Sequence, residues 1–105
     1  MTDVSRAGGP GVPLSPRQRK ALRALAHGLD PVVHVGRAGL TEAVATSVDA
    51  ALLAHELVKV RLHEPEDKRA AAAALAATTS AALCGLVGHT VILYRPHPET
   101  PRIRV

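Results

Sequence analysis

One short segment combines glycines, an arginine and the start of a helix in an order that suits phosphate binding. Its apolar first part, 31–35, predicts a strand, Gly36 to Gly39 is a Gly-x-x-Gly loop, and Thr41 begins a helix. Glycines let a backbone approach a ligand closely, and the first N–H groups of a helix have no partners within it. Arg37 adds a fork of donors that matches phosphate oxygens. The segment therefore predicts contact with a nucleic-acid backbone through Gly36, Arg37, Ala38, Gly39 and Thr41.

The Gly-x-x-Gly pattern occurs at three places, and its surroundings distinguish them. The pattern at 8–11 lies in a Gly/Pro-rich stretch, and the one at 85–88 lies where a strand runs into a turn. Only the pattern at 36–39 has a strand before it, a helix after it and a cation within it, and context decides the value of a short motif. The alternative is that Gly36 and Gly39 only shape a tight connection between strand and helix. The local sequence leaves both interpretations open.

Charge is unevenly distributed along the chain, which has a net charge of +4 and a pI of about 10.0. Residues 15–40 carry five cations and one carboxylate, whereas residues 41–67 carry six carboxylates and two cations. A basic pole around the first helix and the loop is typical of a protein that binds a polyanion, although a short charged run is often only a solvated helix face. Four cations of the first helix are candidates for this contact: Arg17, Arg19, Lys20 and Arg23.

Composition limits the class of protein. A chain of 105 residues predicts one domain, and its single cysteine, Cys84, excludes an intramolecular disulfide and is interpreted as a core residue. No secretory signal is evident, and the uncharged stretch 70–88 predicts an alanine-rich helix and a strand rather than a membrane span. We expect a cytoplasmic monomer that needs no membrane, no cofactor and no small-molecule substrate.

The potentially reactive side chains do not form a catalytic or metal-binding pattern. His55-Glu56 resembles the start of the zinc-protease motif, but Lys59 stands where its second histidine belongs. The histidines lack paired ligand spacing, and His34 is interpreted as partly buried in a strand. The carboxylates between 56 and 67 are interpreted as helix caps and solvated loop charges. The sequence therefore predicts that the protein is not an enzyme.

Periodicity predicts seven elements in the order α-β-α-β-α-β-β, preceded by a disordered tail at 1–13. Ser15 and Gln18 predict a capping box at the first helix, where Leu22, Leu25 and Leu29 form the apolar stripe and the cations project from the other side. The second helix is predicted over 41–55. The alternating strand 57–62 turns Lys59 and Arg61 outward.

The end of the chain predicts a hairpin, and the whole order predicts a fold. Gly88-His89, between apolar runs at 83–87 and 90–94, predicts a type II′ turn. Two strand–helix–strand units imply parallel pairing with right-handed crossovers, and the hairpin adds an antiparallel strand. We expect an α+β protein of two layers, with helices packed on a four-stranded mixed sheet. The loop at 36–39 then lies at the carboxyl ends of the parallel strands, where ligands approach such sheets.

Three blocks of the chain resemble, in order and spacing, the CRM domain family, and in particular its bacterial single-domain, YhbY-type members. These blocks are LSPRQRKALRALAHGLDPVVHVGRAGLTEAV, AHELVKVRL and LVGHTVILYRP. The resemblance covers residues 14–96 and leaves a basic C-terminal tail at 97–105. It implies an RNA-binding domain similar in fold to the carboxy-terminal domain of translation initiation factor three. It also implies a role in ribosome maturation, with pre-ribosomal RNA of the large subunit as the partner.

The family pattern can be carried over to particular residues. The family's loop falls on Gly36 to Gly39, where Arg37 supplies the basic residue and Ala38 is less polar than usual. Its basic first helix falls on Arg17, Arg19, Lys20 and Arg23. Tyr94, the only aromatic residue, could stack on a base or pack within its strand, and one ring does not make a stacking platform.

Two other functions compete with RNA binding. A KH-type or DNA-binding module would share the glycine loop and the charge, but the KH loop lies between two helices. A protein-docking module on ribosomal particles would use the acidic helix around Glu42 and Asp49 and would bind no naked RNA.

Overall fold

The computed structural model describes residues 14–104, which form three helices and a four-stranded mixed sheet. The elements are α1 (Pro16–Ala26), β1 (Val33–Val35), α2 (Glu42–His55), β2 (Leu57–Leu62), α3 (Lys68–Thr79), β3 (Ala82–Val87) and β4 (Thr90–Tyr94). The predicted α+β class and the order of elements are confirmed. The tail predicted at 1–13 lies outside the described residues.

The strands lie in the order β1-β2-β4-β3. β1 pairs with β2 in parallel, and β4 runs antiparallel to both β2 and β3. The parallel pairing expected from two strand–helix–strand units is found for β1 and β2 but not for β2 and β3, because β4 lies between them. Val91 to Tyr94 of β4 are all buried, and such a strand needs cover on both faces and both edges. β3, which exposes Leu83 and Val87, lies at the edge of the sheet.

The two faces of the sheet are covered to different extents. α2 and α3 cover one face, where Val48, Leu52 and Leu75 pack on Val60 and Leu93. α1 lies on the opposite face, which we call the open face, and packs on one half of it through Leu22 and Ala26. The core beneath α1 consists of Leu14, Leu57, Cys84, Ile92 and Tyr94. The two-layer expectation thus describes α2 and α3, and α1 adds a partial layer behind the sheet.

The sheet-facing side of α1 differs from the predicted apolar stripe. Leu22 is buried as expected, but Leu25 is 53% exposed and Leu29 is 40% exposed. Ala26 and two arginines take their place. Arg19 Nη1 donates a hydrogen bond to the carbonyl of Leu14 (2.6 Å), and Arg23 Nη1 donates one to the carbonyl of Cys84 (3.0 Å). Long arginine stems cover apolar surface while their charged ends reach an acceptor. A stripe identified from apolar residues alone therefore does not include these two arginines.

Gly85 makes the position of Arg23 possible. A Cβ atom at residue 85 would lie 2.8 Å from Cδ of Arg23, closer than non-bonded carbons approach each other. The arginine stem therefore crosses β3 where the strand has no side chain. Gly85 thus serves helix–strand packing and belongs to no ligand loop.

The local turn and cap signals agree with the structure. Ser15 Oγ accepts the N–H of Gln18 (3.0 Å) and Gln18 Oε1 accepts the N–H of Ser15 (2.9 Å), which confirms the capping box. Gly88-His89 joins β3 to β4, and only Gly88 of this pair has a positive φ, +59°. That combination is the predicted type II′ turn.

A buried carboxylate holds the segment 97–104 against the sheet. Glu56 is 0% exposed and lies just before β2 with a φ of +67°. Its carboxylate oxygens accept backbone N–H groups of His97 (2.7 Å), Arg102 (3.0 Å) and Ile103 (3.0 Å). We call this arrangement the Glu56 clamp. The interpretation of the carboxylates from 56 to 67 as caps and solvated charges is wrong for Glu56.

Candidate nucleic-acid interface

The loop at 36–39 is a tight, exposed turn. The N–H of Gly39 donates to the carbonyl of Gly36 (3.0 Å), and Gly36, Arg37 and Ala38 are exposed. Gly39 has a φ of +75°, a conformation that favours glycine. Gly36 differs, because its φ is not positive and a Cβ atom there would meet nothing within 4 Å. The fold therefore explains the glycine at 39 and does not require the one at 36.

Thr41 caps the helix that follows the loop. Its Oγ1 accepts the N–H of Val44 (3.2 Å), so this side chain is engaged in starting α2. The N–H groups of Glu42 and Ala43 precede the first intrahelical bond, which leaves them directed out of the helix end. The Glu42 carboxylate in the same turn offsets part of the positive dipole field there.

The loop lies at the carboxyl ends of the parallel strands, as predicted. β1 and β2 end side by side, with Val35 opposite Leu62, and the N–H of His63 donates to the carbonyl of Val35 (3.1 Å). The turn of the β3–β4 hairpin lies at the same end of the sheet, because the N–H of Leu62 donates to the carbonyl of His89 (2.8 Å). The carboxyl ends of the two parallel strands therefore lie together at this end of the sheet, where ligands approach such sheets.

Two grooves of opposite charge flank the loop. The first, of about 500 Å³, lies between the loop and the β2–α3 connection. It is lined on its far side by Glu64, Glu66 and Asp67, and we call it the acidic groove. Asp67 also caps α3, since its Oδ1 accepts the N–H groups of Arg69 and Ala70 (3.1 Å each).

The second groove, of about 390 Å³, lies on the other side of the loop. Two arginines and two histidines line it together with backbone of the strand ends, and we call it the basic groove; its polar residues are His34, Arg37, Arg61 and His63. No carboxylate lines it. His34 is exposed, so its interpretation as a partly buried residue is wrong.

The candidate cations of α1 fall into two pairs. Arg17 and Lys20 are exposed, whereas Arg19 and Arg23 donate to backbone carbonyls of the fold. None of the four lines either groove beside the loop. The structure therefore places the basic helix and the loop on separate parts of the surface, with the uncovered half of the open face between them.

Arg61 and His34 were not among the predicted site residues. Alternation along β2 placed Arg61 outward, but its neighbour across the strands depends on register, which pairs it with His34. Strand register is set by contacts distant in sequence. The available signal is a cation at an outward position, one residue before the end of a parallel strand.

Other side chains lack the features of catalytic or stacking groups. Burial raises the pKa of the Cys84 thiol to about 11, so this thiol stays protonated near neutral pH. Tyr94 is 2% exposed, which confirms that it packs within the sheet and stacks on no ligand. Within residues 14–104, His, Cys, Asp and Glu side chains form no group of three that could hold a metal ion. None of the helices described has the length and apolar character needed to cross a membrane.

The fold and the position of the loop match a known family. The model of the CRS1/YhbY (CRM) domain matches residues 14–95. This chain belongs to that family. The family placement confirms the resemblance found in the three sequence blocks, and a loop that follows a strand distinguishes the chain from a KH domain.

Proteins similar to this chain are named for RNA binding. An "RNA-binding protein" of Haemophilus influenzae is 42% identical over 88 residues, which cover 82% of this chain and 89% of that protein. A "Probable RNA-binding protein" of Bacillus subtilis is 33% identical over 94 residues, covering 88% and 98% of the two chains. The family and these relatives are described by RNA binding, which agrees with the prediction that the chain is not an enzyme.

A solved structure has the same fold. The solution structure of a Staphylococcus aureus protein, described as a candidate RNA-binding protein, superposes with a TM-score of 0.77 at 31% identity. The match covers 88% of this chain and 98% of that one. The sheet and three helices of the CRM-domain chain are therefore those of a solved relative.

Proposed function

We propose that this chain binds RNA through the loop at 36–39 and the exposed cations of α1. In this proposal its ligand is pre-ribosomal RNA of the large subunit, and it acts as a cytoplasmic, monomeric factor in ribosome maturation. The names of its relatives support RNA as the ligand class. The resemblance to single-domain YhbY-type members supports the ribosomal assignment.

The observation that carries the proposal is the glycine at 36. This residue is exposed, has no positive φ and has free space around it, so packing does not require glycine there. Close approach of another molecule to the backbone is a physical reason for a missing side chain at such a point. Arg37 stands beside it and supplies a charge that suits phosphate.

The mode of binding follows from the side chains available. Because the single aromatic ring is buried, recognition depends on phosphate and 2′-hydroxyl contacts and on RNA shape. If the three cations of this proposal, Arg17, Lys20 and Arg37, each bind a phosphate, the log of the binding constant falls with the log of salt concentration with a slope of about −2. Weak sequence preference in isolation follows from the same mode.

The test is a titration of a structured large-subunit rRNA fragment with the purified protein across a series of salt concentrations. Arg37→Glu and Arg17→Glu with Lys20→Glu are the informative variants, because these side chains form no hydrogen bond with another residue of 14–104. We expect wild-type binding with steep salt dependence, and at least about a tenfold loss in affinity in each charge-reversed variant. Arg69→Glu, the same change at an exposed arginine of α3, is the matched control and stays within about threefold.

The alternative functions are outcomes of the same test. Equal affinity for duplex DNA of the same length would contradict an RNA-specific domain. A folded wild-type protein that binds ribosomal particles but no naked RNA would instead be a docking module. The acidic surface suggested for that alternative is partly engaged within the fold, because the Asp49 carboxylate is already paired with Arg95.

A further inference from the structure

The half of the open face that α1 leaves uncovered carries an exposed arginine. Arg61 points outward from β2, opposite His34 of β1 and next to Thr90 of β4. Neighbouring strands lie about 4.8 Å apart, so these three side chains form one row across the sheet. Lys59, on the same face, is engaged differently, because its Nζ donates to the carbonyl of Leu29 (3.0 Å). Within residues 14–104 Arg61 forms no such bond or ion pair.

The two grooves beside the loop differ in the charge of the side chains that line them. Arg37 and His63 line both grooves; the acidic groove adds three carboxylates, and the basic groove adds Arg61 and His34. From the basic groove, the open face leads past Arg61 and Thr90 toward β3, where Arg23 lies across Gly85. Cations therefore continue from the loop to α1 by way of the open face.

We propose that Arg61 binds a phosphate of the RNA strand that contacts the loop, with His34 and Thr90 as neighbouring polar contacts. The strand passes through the basic groove and over the uncovered half of the open face toward α1, and it avoids the acidic groove. This inference rests on the proposed function and adds to it a binding residue and a path. It also explains how two basic regions that do not touch can act on one ligand.

Electrostatics favours the basic groove over the acidic groove for a bound phosphate. A phosphate placed in the basic groove meets two guanidinium groups and no carboxylate, whereas one in the acidic groove meets three carboxylates against the single guanidinium of Arg37, which lines both grooves. Like charges at close range oppose binding, so the basic groove is favoured. Arginine suits this position, because its planar fork donates two hydrogen bonds to one phosphate. Since Arg61 is exposed and forms no bond within the described fold, removing it affects the ligand and not the core.

The experiment measures affinity of the rRNA fragment for Arg61→Gln, Arg61→Lys and Arg69→Gln across a salt series, with thermal unfolding to verify folding. We expect Arg61→Gln to lower affinity about five- to tenfold and to reduce the magnitude of the salt slope by about 0.7, the value for one phosphate on a single strand. Arg61→Lys keeps the charge and stays within about threefold of wild type. Arg69→Gln, which removes an exposed arginine outside both grooves, changes affinity less than twofold.

The outcomes separate this inference from the proposed function. If wild type binds RNA and Arg37→Glu does not, but Arg61→Gln behaves like Arg69→Gln, the path over the open face is wrong and the loop function stands. If wild type binds no RNA, the proposed function fails with it. Glu66→Gln tests the other groove: we expect less than a twofold change, and a rise in affinity of fivefold or more would place the RNA in the acidic groove.

Discussion

Two turns with positive φ lie at opposite ends of the parallel strands β1 and β2 and have different surroundings. Gly39 (+75°) belongs to the exposed loop after β1, and Glu56 (+67°) lies just before β2. The Glu56 side chain is fully buried and accepts three backbone N–H groups, while the loop around Gly39 is open to solvent. One turn is surrounded by groups of its own chain, and the other presents its backbone outward.

The difference indicates a division between stability and binding. At the Glu56 clamp, three backbone N–H groups satisfy a fully buried carboxylate that would otherwise lack partners, which contributes to folding. At the loop, the backbone and Arg37 make few internal contacts, so they are available to a ligand at little expense to the core. We therefore expect changes at the clamp to alter stability without altering RNA contacts directly, and changes at the loop to do the reverse.

The largest effect is expected at the clamp. Glu56→Gln removes the charge and replaces one acceptor oxygen by an amide NH2 group, which cannot accept the backbone N–H groups. We therefore expect the free energy of unfolding to fall by about 2 kcal/mol. Urea denaturation measures this loss, and Glu66→Gln, the same change at an exposed carboxylate, is the control and stays within about 0.5 kcal/mol. A Glu56→Gln protein as stable as wild type would show that the clamp is not a stabilising contact.

The clamp also predicts acid sensitivity. Burial raises the pKa of Glu56, but the N–H groups of His97, Arg102 and Ile103 and the charge of Arg102 outweigh it, so the pKa lies below its ordinary value of 4.5. The carboxylate therefore stabilises the fold above pH 4.5, and this contribution is lost as pH falls through the lower folded-state pKa. The stability difference between wild type and Glu56→Gln should be constant near neutral pH and shrink below about pH 4.5. A difference that grows on acidification would contradict this assignment.

The smallest stability effects, and the sharpest contrast, are expected within the loop. Gly39→Ala forces a side chain into the left-handed region and should reduce stability by about 1 kcal/mol. Gly36→Ala should change stability by less than about 0.5 kcal/mol, yet lower RNA affinity about three- to fivefold, because the new methyl group obstructs approach to the backbone. Gly28 has no positive φ, and a Cβ atom there would meet nothing within 4 Å, so Gly28→Ala is the matched control for both measurements. Unchanged RNA affinity in Gly36→Ala would mean that this glycine only shapes the connection.

Local patterns in the sequence predicted most of the fold. The capping box at Ser15, the alternation of 57–62 and the Gly88-His89 turn each depend on residues within a few positions, and all three are confirmed. The loop between β1 and α2 was located for the same reason. These features follow from short-range geometry that a single sequence displays directly.

Contacts between distant segments could not be predicted in this way. The central place of β4, the pairing of His34 with Arg61 and the packing of Arg23 on Gly85 each join residues far apart in the chain. Helical periodicity predicts Arg19 and Arg23 on the solvent side because it treats every arginine as polar along its whole length. The sequence indicates a solvated charge at Glu56 because the partners of this carboxylate lie more than 40 residues later in the chain.

The position of β4 also determines when the domain can form during synthesis. β4 is the last of the four strands to leave the ribosome, yet it lies between β2 and β3. Until Tyr94 has emerged, β1 and β2 are an isolated pair and β3 has no strand to bond with. The clamp closes later still, because its donors extend to Ile103. The nascent chain therefore acquires this fold in one late step, after nearly the whole domain has been translated.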